Sequence, residues 1–113
     1  AGTVSDSKGN LRSIPQNMQG SAYTLVAADA GKHIITGSGV TIPNNVFAVG
    51  DAVTIISNSG SDQTITQASG LTIYNTADGS TGNRTLATRG MCTLIFTQGG
   101  SSSYAYISGA GLS

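Results

Sequence analysis

The sequence predicts an all-β chain: a single compact β-sandwich or barrel-like domain with an extended N-terminal arm. Three observations predict it. Short runs rich in Val, Ile and Thr recur along the chain, and these residues favour strands. Clusters of Gly, Asn, Ser and Asp separate the runs at close spacing, where they supply turn conformations. No segment sustains a long amphipathic helical period. The 16 glycines among 113 residues are about twice the ordinary share, and a chain of this length suits one domain rather than two.

Residues 1–20 stand apart from the rest. Ala1 to Asn10 is polar and Gly-rich with no sustained period, and it holds Lys8, while Arg12 follows it. Leu11, Ile14 and Met18 have helical spacing, but Pro15 interrupts the stripe. We therefore expect an arm over residues 1–20 that gains order by lying on something else, and a β domain over 21–113.

Within that domain the expected strands follow in order. Tyr23-Thr24-Leu25-Val26 ends at the turn-like Ala28-Asp29-Ala30-Gly31. Lys32 to Thr36 leads to Gly37-Ser38-Gly39, and Val40-Thr41-Ile42 alternates until Pro43 and Asn44-Asn45 break it. Val46-Phe47-Ala48-Val49 leads to Gly50-Asp51. Ala52-Val53-Thr54-Ile55-Ile56 reads as a central strand because nearly every residue is β-branched. Asn58-Ser59-Gly60-Ser61 is expected to form a hairpin loop into Gln63 to Gln67. Leu71-Thr72-Ile73-Tyr74 alternates, residues 75–84 form a polar loop, Met91 to Thr97 is strongly apolar, and Tyr104 to Ile107 closes the sheet. Val53, Ile55, Leu71, Ile73, Leu94 and Phe96 form the expected core, with Leu25 and Ile107 nearby. No fixed internal period emerges, so a sandwich or barrel is favoured over a solenoid.

Charge narrows the function. Only 9% of residues are charged, there is no Glu, and the formal net charge is zero. Nucleic-acid binding needs a basic surface to displace counterions, so that class is disfavoured. No apolar stretch approaches the ~20 residues of a helical membrane span. A surface of hydroxyls and amides suits a protein packed against neighbours or assembled with copies of itself.

Catalytic constellations are weak. His33 is the sole histidine and Cys92 the sole cysteine, the latter inside the apolar run Met91 to Phe96, where a buried, inert thiol is expected. Asp29, Asp51, Asp62 and Asp78 lie in or beside turns, where aspartate bonds the local backbone. Zinc and calcium spacings are absent, so no metal or other cofactor is expected. Gly79-Ser80-Thr81-Gly82-Asn83-Arg84 lacks the Lys-Ser/Thr ending of a phosphate loop and reads as a turn. Tyr74, Tyr104 and Tyr106 offer rings for sugar stacking, yet Tyr104 and Tyr106 on one face of one strand also suit a subunit contact.

Several pieces in order resemble bacteriophage structural proteins: Ser21 to Lys32, Val46 to Val53 with Phe47 and Gly50-Asp51, Asn58-Ser59-Gly60 followed by Thr64-Ile65, Gly82 to Ala87, and Ser108 to Leu112. The lead-in Gly2 to Asn10 is similar to that of marine and cyanobacterial phage virion proteins. Where such proteins often carry Trp in the last strand, Tyr104 and Tyr106 stand here. The resemblance implies a virion part without catalytic residues. It is read as a capsid decoration (cement) protein on the outer capsid surface, binding the major capsid protein or other virion proteins. A head or tail fibre module and a host-carbohydrate-binding module are the alternatives. It also favours a homo-oligomer, with a trimer first, and the expected partner-binding residues are Leu11, Arg12, Ile14, Met18, Tyr104 and Tyr106.

Overall fold

The computed structural model describes residues 5–6, 9–10 and 15–113. Leu11, Arg12 and Ile14 lie outside them. The strands are β1 (Ser5–Asp6), β2 (Gly9–Asn10), β3 (Gln16–Gln19), β4 (Tyr23–Thr24), β5 (His33–Thr36), β6 (Val40–Ile42), β7 (Ala52–Ser57), β8 (Gln63–Gln67), β9 (Thr72–Asn75), β10 (Arg84–Gln98) and β11 (Tyr104–Leu112). Short 3-10 turns at Ala27–Asp29 and Gly100–Ser102 are the only helical pieces among the described residues. The chain is all-β, as the sequence predicts. Strands β1 and β2 pair with each other. The remainder form a nearly closed, barrel-like sheet. Residues Gln16–Gln19 fall within the expected arm, and they form a strand of this sheet.

The sheet is wound before it is closed. Strands β3, β5 and β7 lie side by side and parallel, and so do β4, β6 and β8. The chain therefore passes from one layer to the other at each turn, as in a short solenoid of three coils. Partners in the first two coils are seventeen residues apart, Gln16 with His33 and Tyr23 with Val40. In the next coil the separation grows to twenty-one, His33 with Thr54, and twenty-five, Val40 with Ile65. Coils of unequal length conceal the repeat from a search for a fixed period.

Stacked corners make the crossings. Gly37 N–H donates to Gln19 O (3.2 Å) and Asn58 N–H to Thr36 O (3.0 Å). Thr36 and Ser57 occupy one register and both are buried. Each hydroxyl closes its own corner, Thr36 Oγ1 accepting from Ser38 N–H (3.0 Å) and Ser57 Oγ from Ser59 N–H (3.2 Å). The expected hairpin at Asn58 to Ser61 is thus a corner: β7 pairs with β5 and β10, while β8 pairs with β6 and β10. Turn-forming residues specify a reversal of direction, and a corner between layers uses the same chemistry as a hairpin.

Strand β10 closes the fold. Its second half, Met91 to Ile95, pairs antiparallel with β7, and its first half, Arg84 to Leu86, pairs with β8. Between them the register against β11 shifts, from Leu86 opposite Leu112 to Met91 opposite Ala110. Arg89 adopts φ 61° in this bulge. The extra residues bend the strand from one layer into the other. Strand β11 follows it and adds β9 in parallel at the far edge. Gly109 sits where the two strands come closest: a Cβ there would lie 2.1 Å from Met91 O and 2.5 Å from Cys92 Cα.

All eight expected core residues are buried, and Ile34, Val40, Ile42, Ile65 and Leu86 join them in one cluster. The expected strand Val46 to Val49 is an irregular loop. It drops Phe47 onto Phe96, with ring centroids 4.8 Å apart, and leaves Val49 exposed. Asn44 ties this loop to the β10–β11 connection, its Nδ2 donating to Ser101 O (2.8 Å) and its Oδ1 accepting from Ser103 N–H (3.1 Å).

Phe96→Ala should cost about 3–5 kcal/mol, because it empties the centre of the core. Gly109→Ala should cost about 1–3 kcal/mol or more through overpacking. Gly60→Ala, where the added Cβ meets nothing within 4 Å, should change stability by less than about 0.5 kcal/mol. Urea unfolding of the three variants checks the ranking; a Gly109→Ala protein as stable as Gly60→Ala would refute the close approach of β10 and β11.

Candidate functional site

Strand β3 and the Ala27–Asp29 turn bring together the most chemically suggestive cluster. Asp29 is almost fully buried, and among the described residues no Lys or Arg is hydrogen-bonded to its carboxylate. Its Oδ1 accepts from Asn17 Nδ2 (2.9 Å), and its Oδ2 accepts from the Tyr23 hydroxyl (2.7 Å) and Val26 N–H (2.9 Å). Gln19 Nε2 donates to Asn17 Oδ1 (2.7 Å), extending the network. Burial, reinforced by the Asp29 hydrogen bond, raises the Tyr23 pKa above its ordinary value. Asn17 and Gln19 stand in register with the buried Ile34 and Thr36, so the first coil turns polar side chains where the second turns core. Three donors meet the hydrogen-bonding need of this buried carboxylate. The cluster closes the end of the core with hydrogen bonds.

Asp51, Asp78, Arg84 and Cys92 are held locally. Asp51 Oδ2 accepts from Ala48 N–H (2.9 Å), and Asp78 Oδ1 accepts from Ser80 N–H (2.9 Å) and Ser80 Oγ (2.7 Å). These Ser80 bonds, with the nearby Arg84 charge, lower the Asp78 pKa. The Arg84 guanidinium folds back onto Ser80 Oγ (2.8 Å) and Thr81 O (3.3 Å), so Gly79 to Arg84 is a self-bonded turn. Cys92 is buried, and desolvation pushes its pKa from 9.0 to about 12. Among the described residues no three His, Cys, Asp or Glu side chains are grouped to hold a metal. A shallow groove of about 400 Å³ runs between Ala30-Gly31 and Ala48 to Ala52, lined by small side chains.

The outer faces of the two layers differ sharply. On one layer, Thr24, Thr41 and Thr66 stand in a row across β4, β6 and β8, with Thr64 beside Thr85. The other layer runs β3-β5-β7-β10-β11-β9 and carries three rows. Met18, Ile35, Ile56 and Met91 form the first, and Gln16, His33, Thr54, Thr93 and Ser108 the second. Ala52, Ile95, Tyr106 and Tyr74 form the third. Tyr104 lies two residues along β11 from Tyr106, on the same face. Tyr74 stacks on Tyr106, with centroids 5.2 Å apart at 25°, and meets Tyr104 edge-on at 6.1 Å. Because the rings face one another, they leave fewer free faces for a sugar.

Of the sequence-predicted contact residues, Met18, Tyr104 and Tyr106 share this face, at opposite sides of the layer, and all three are exposed. Sequence reasoning missed Ile35, Ile56, Met91 and Ile95. Their signal was present: Ile34-Ile35, Ile55-Ile56, Met91-Cys92 and Leu94-Ile95-Phe96 are apolar at consecutive positions, so side chains of both faces are apolar there. Searches against protein-family models, curated proteins and solved structures find no match.

The raised thiol and phenol pKa values fix the sign of an alkaline response. A group whose folded pKa lies above its unfolded value contributes stability that is complete below the unfolded pKa and lost as pH rises toward the folded one. For Cys92 that loss begins near pH 9 and continues toward 12, and Tyr23 adds to it above 10. Urea midpoints should therefore fall steadily above pH 9, and Cys92→Ala should remove the earliest part of the fall. Unchanged midpoints to pH 11 would contradict the burial of both groups.

Proposed function

We propose that this chain is a non-enzymatic bacteriophage virion structural protein, a capsid decoration (cement) protein that binds the major capsid protein from outside and stabilises the shell. The observation that carries the structural role is where the reactive side chains are spent. Asp29 closes the end of the core, Asp51 and Asp78 hold turns, and Cys92 fills the interior. The virion assignment draws on the likeness of Ser21 to Lys32 and the later segments to phage structural proteins. On this reading residues 1–14, with Leu11, Arg12 and Ile14, supply the attachment arm, because the sheet itself begins at β3.

A fibre module is the second reading, and one feature favours it. Among the described residues the parallel coils begin at β3 and β4, each of which pairs with one neighbour there. A further coil laid against β3 and β4 would continue both parallel stacks through main-chain hydrogen bonds.

Particles purified from the phage whose genome carries this sequence provide the test. Mass spectrometry should detect the chain in high copy number, and cryo-electron microscopy should place its density on the outer capsid surface. Density confined to a fibre would select the second reading, and absence from purified particles would overturn both. Removal of residues 1–14 should leave the thermal unfolding transition in place and reduce attachment to particles lacking the protein at least about tenfold.

A further inference from the structure

We propose that the outer face of the layer β3-β5-β7-β10-β11-β9 is an interface between copies of this chain, packed face to face on a second copy. The inference concerns this face alone and does not depend on the virion reading.

Four observations carry it. The first is composition: none of the three rows contains Asp, Lys or Arg, so two such faces meet without like-charge repulsion. The second is apolar exposure. Met18 is 65% exposed, Met91 52%, Ile95 47% and Tyr106 40%, and both methionines of the chain lie here. The opposite layer presents threonines at the equivalent outward positions. The third is strand character. Near-continuous apolar runs mark strands covered on both faces, yet among the described residues only the inner faces of β5, β7 and β10 are covered.

The fourth is that covering this face leaves few polar groups stranded. Thr54 Oγ1 and Thr93 Oγ1 are 3.0 Å apart and hydrogen-bonded to each other. His33 Nε2 and Gln16 Oε1 are 3.2 Å apart. The central polar row is therefore largely satisfied within one copy, which lowers the desolvation penalty of burying it. Six strands at about 4.8 Å spacing, presenting on average about four to six residues each at about 3.3 Å, give a face of roughly 400–550 Å² before side-chain relief is counted. A standard interface takes about 800 Å² from each partner, so this face supplies at least about half of one side. Such self-complementary pairing is the usual route to closed symmetric assemblies.

Sedimentation equilibrium of the full chain at about 100 µM tests the proposal. The parent should sediment as two or more copies of the 11.3 kDa chain. Ile95→Lys and Met91→Lys should each weaken association at least about 30-fold and, at dilutions where the parent has dissociated, melt like the parent, since both positions are exposed. Thr41→Lys, on the opposite layer, should assemble like the parent. The unmutated protein gives an independent readout through the methyl signals of Met18 and Met91. These should shift on dilution and be shielded from a soluble paramagnetic probe only when concentrated. A parent that is monomeric at 100 µM overturns the proposal, as does an assembly that survives both lysine substitutions or leaves both methyls open to the probe.

Discussion

The fold rests on the bend in β10. Three parallel coils alone would leave two stacks of strands joined only at their corners. Because Arg84 to Leu86 bonds to β8 and Met91 to Ile95 bonds to β7, one continuous backbone carries hydrogen bonds into both layers. The bulge at residues 87–90 makes this possible by absorbing the change of direction where Arg89 takes φ 61°. Strand β11 must follow the same bend at close range, and Gly109 is the residue that lets it. The fold thus joins local winding, which is parallel, to a long-range antiparallel closure.

The two ends of the coil are treated differently by the sequence. At the closed end, Leu86, Leu94, Phe96 and Ile107 fill the interior, and Phe47 is inserted from a loop to meet Phe96. At the open end, the inward positions hold Asn17, Gln19, Tyr23 and Asp29, bonded to one another. Leaving one partner of such a network unpaired would cost the desolvation of the other. Mutual hydrogen bonding lets polar groups stand at this end of the core among the described residues. The same economy appears at the corners, where the buried hydroxyls of Thr36 and Ser57 bond the turn that follows them.

The asymmetry of the two outer faces follows from the strands that build them. The threonine-bearing layer alternates strictly, with Val40, Ile42 and Ile65 inward and Thr41, Thr64 and Thr66 outward, so water satisfies its outer face. In the other layer the outward positions of β5, β7 and β10 are mostly apolar. Hydrogen bonding among Thr54, Thr93, His33 and Gln16 confines its polarity to one internally bonded row. Reactive side chains are absent from both apolar rows, and the buried thiol and carboxylate lie beneath the surface.

The sequence by itself determined the strands and the core. Alternation and β-branching located β5 to β9 and the apolar half of β10, and they named Val53, Ile55, Ile73, Leu94 and Phe96 as interior, because a strand's side-chain period is local and readable. Local chemistry also placed Cys92 in the core and tied Asp51 and Asp78 to turns. Tertiary structure alone decided the pairing. Whether Asn58 to Ser61 reverses a hairpin or turns a corner depends on which distant strand receives β8, and β10 settles that from twenty residues away. It decided that Phe47 is core and Val49 is surface, since a loop has no period to read. It also gathered Met18, Ile56, Ile95 and Tyr106 onto one face, a neighbourhood set by register between strands far apart in sequence.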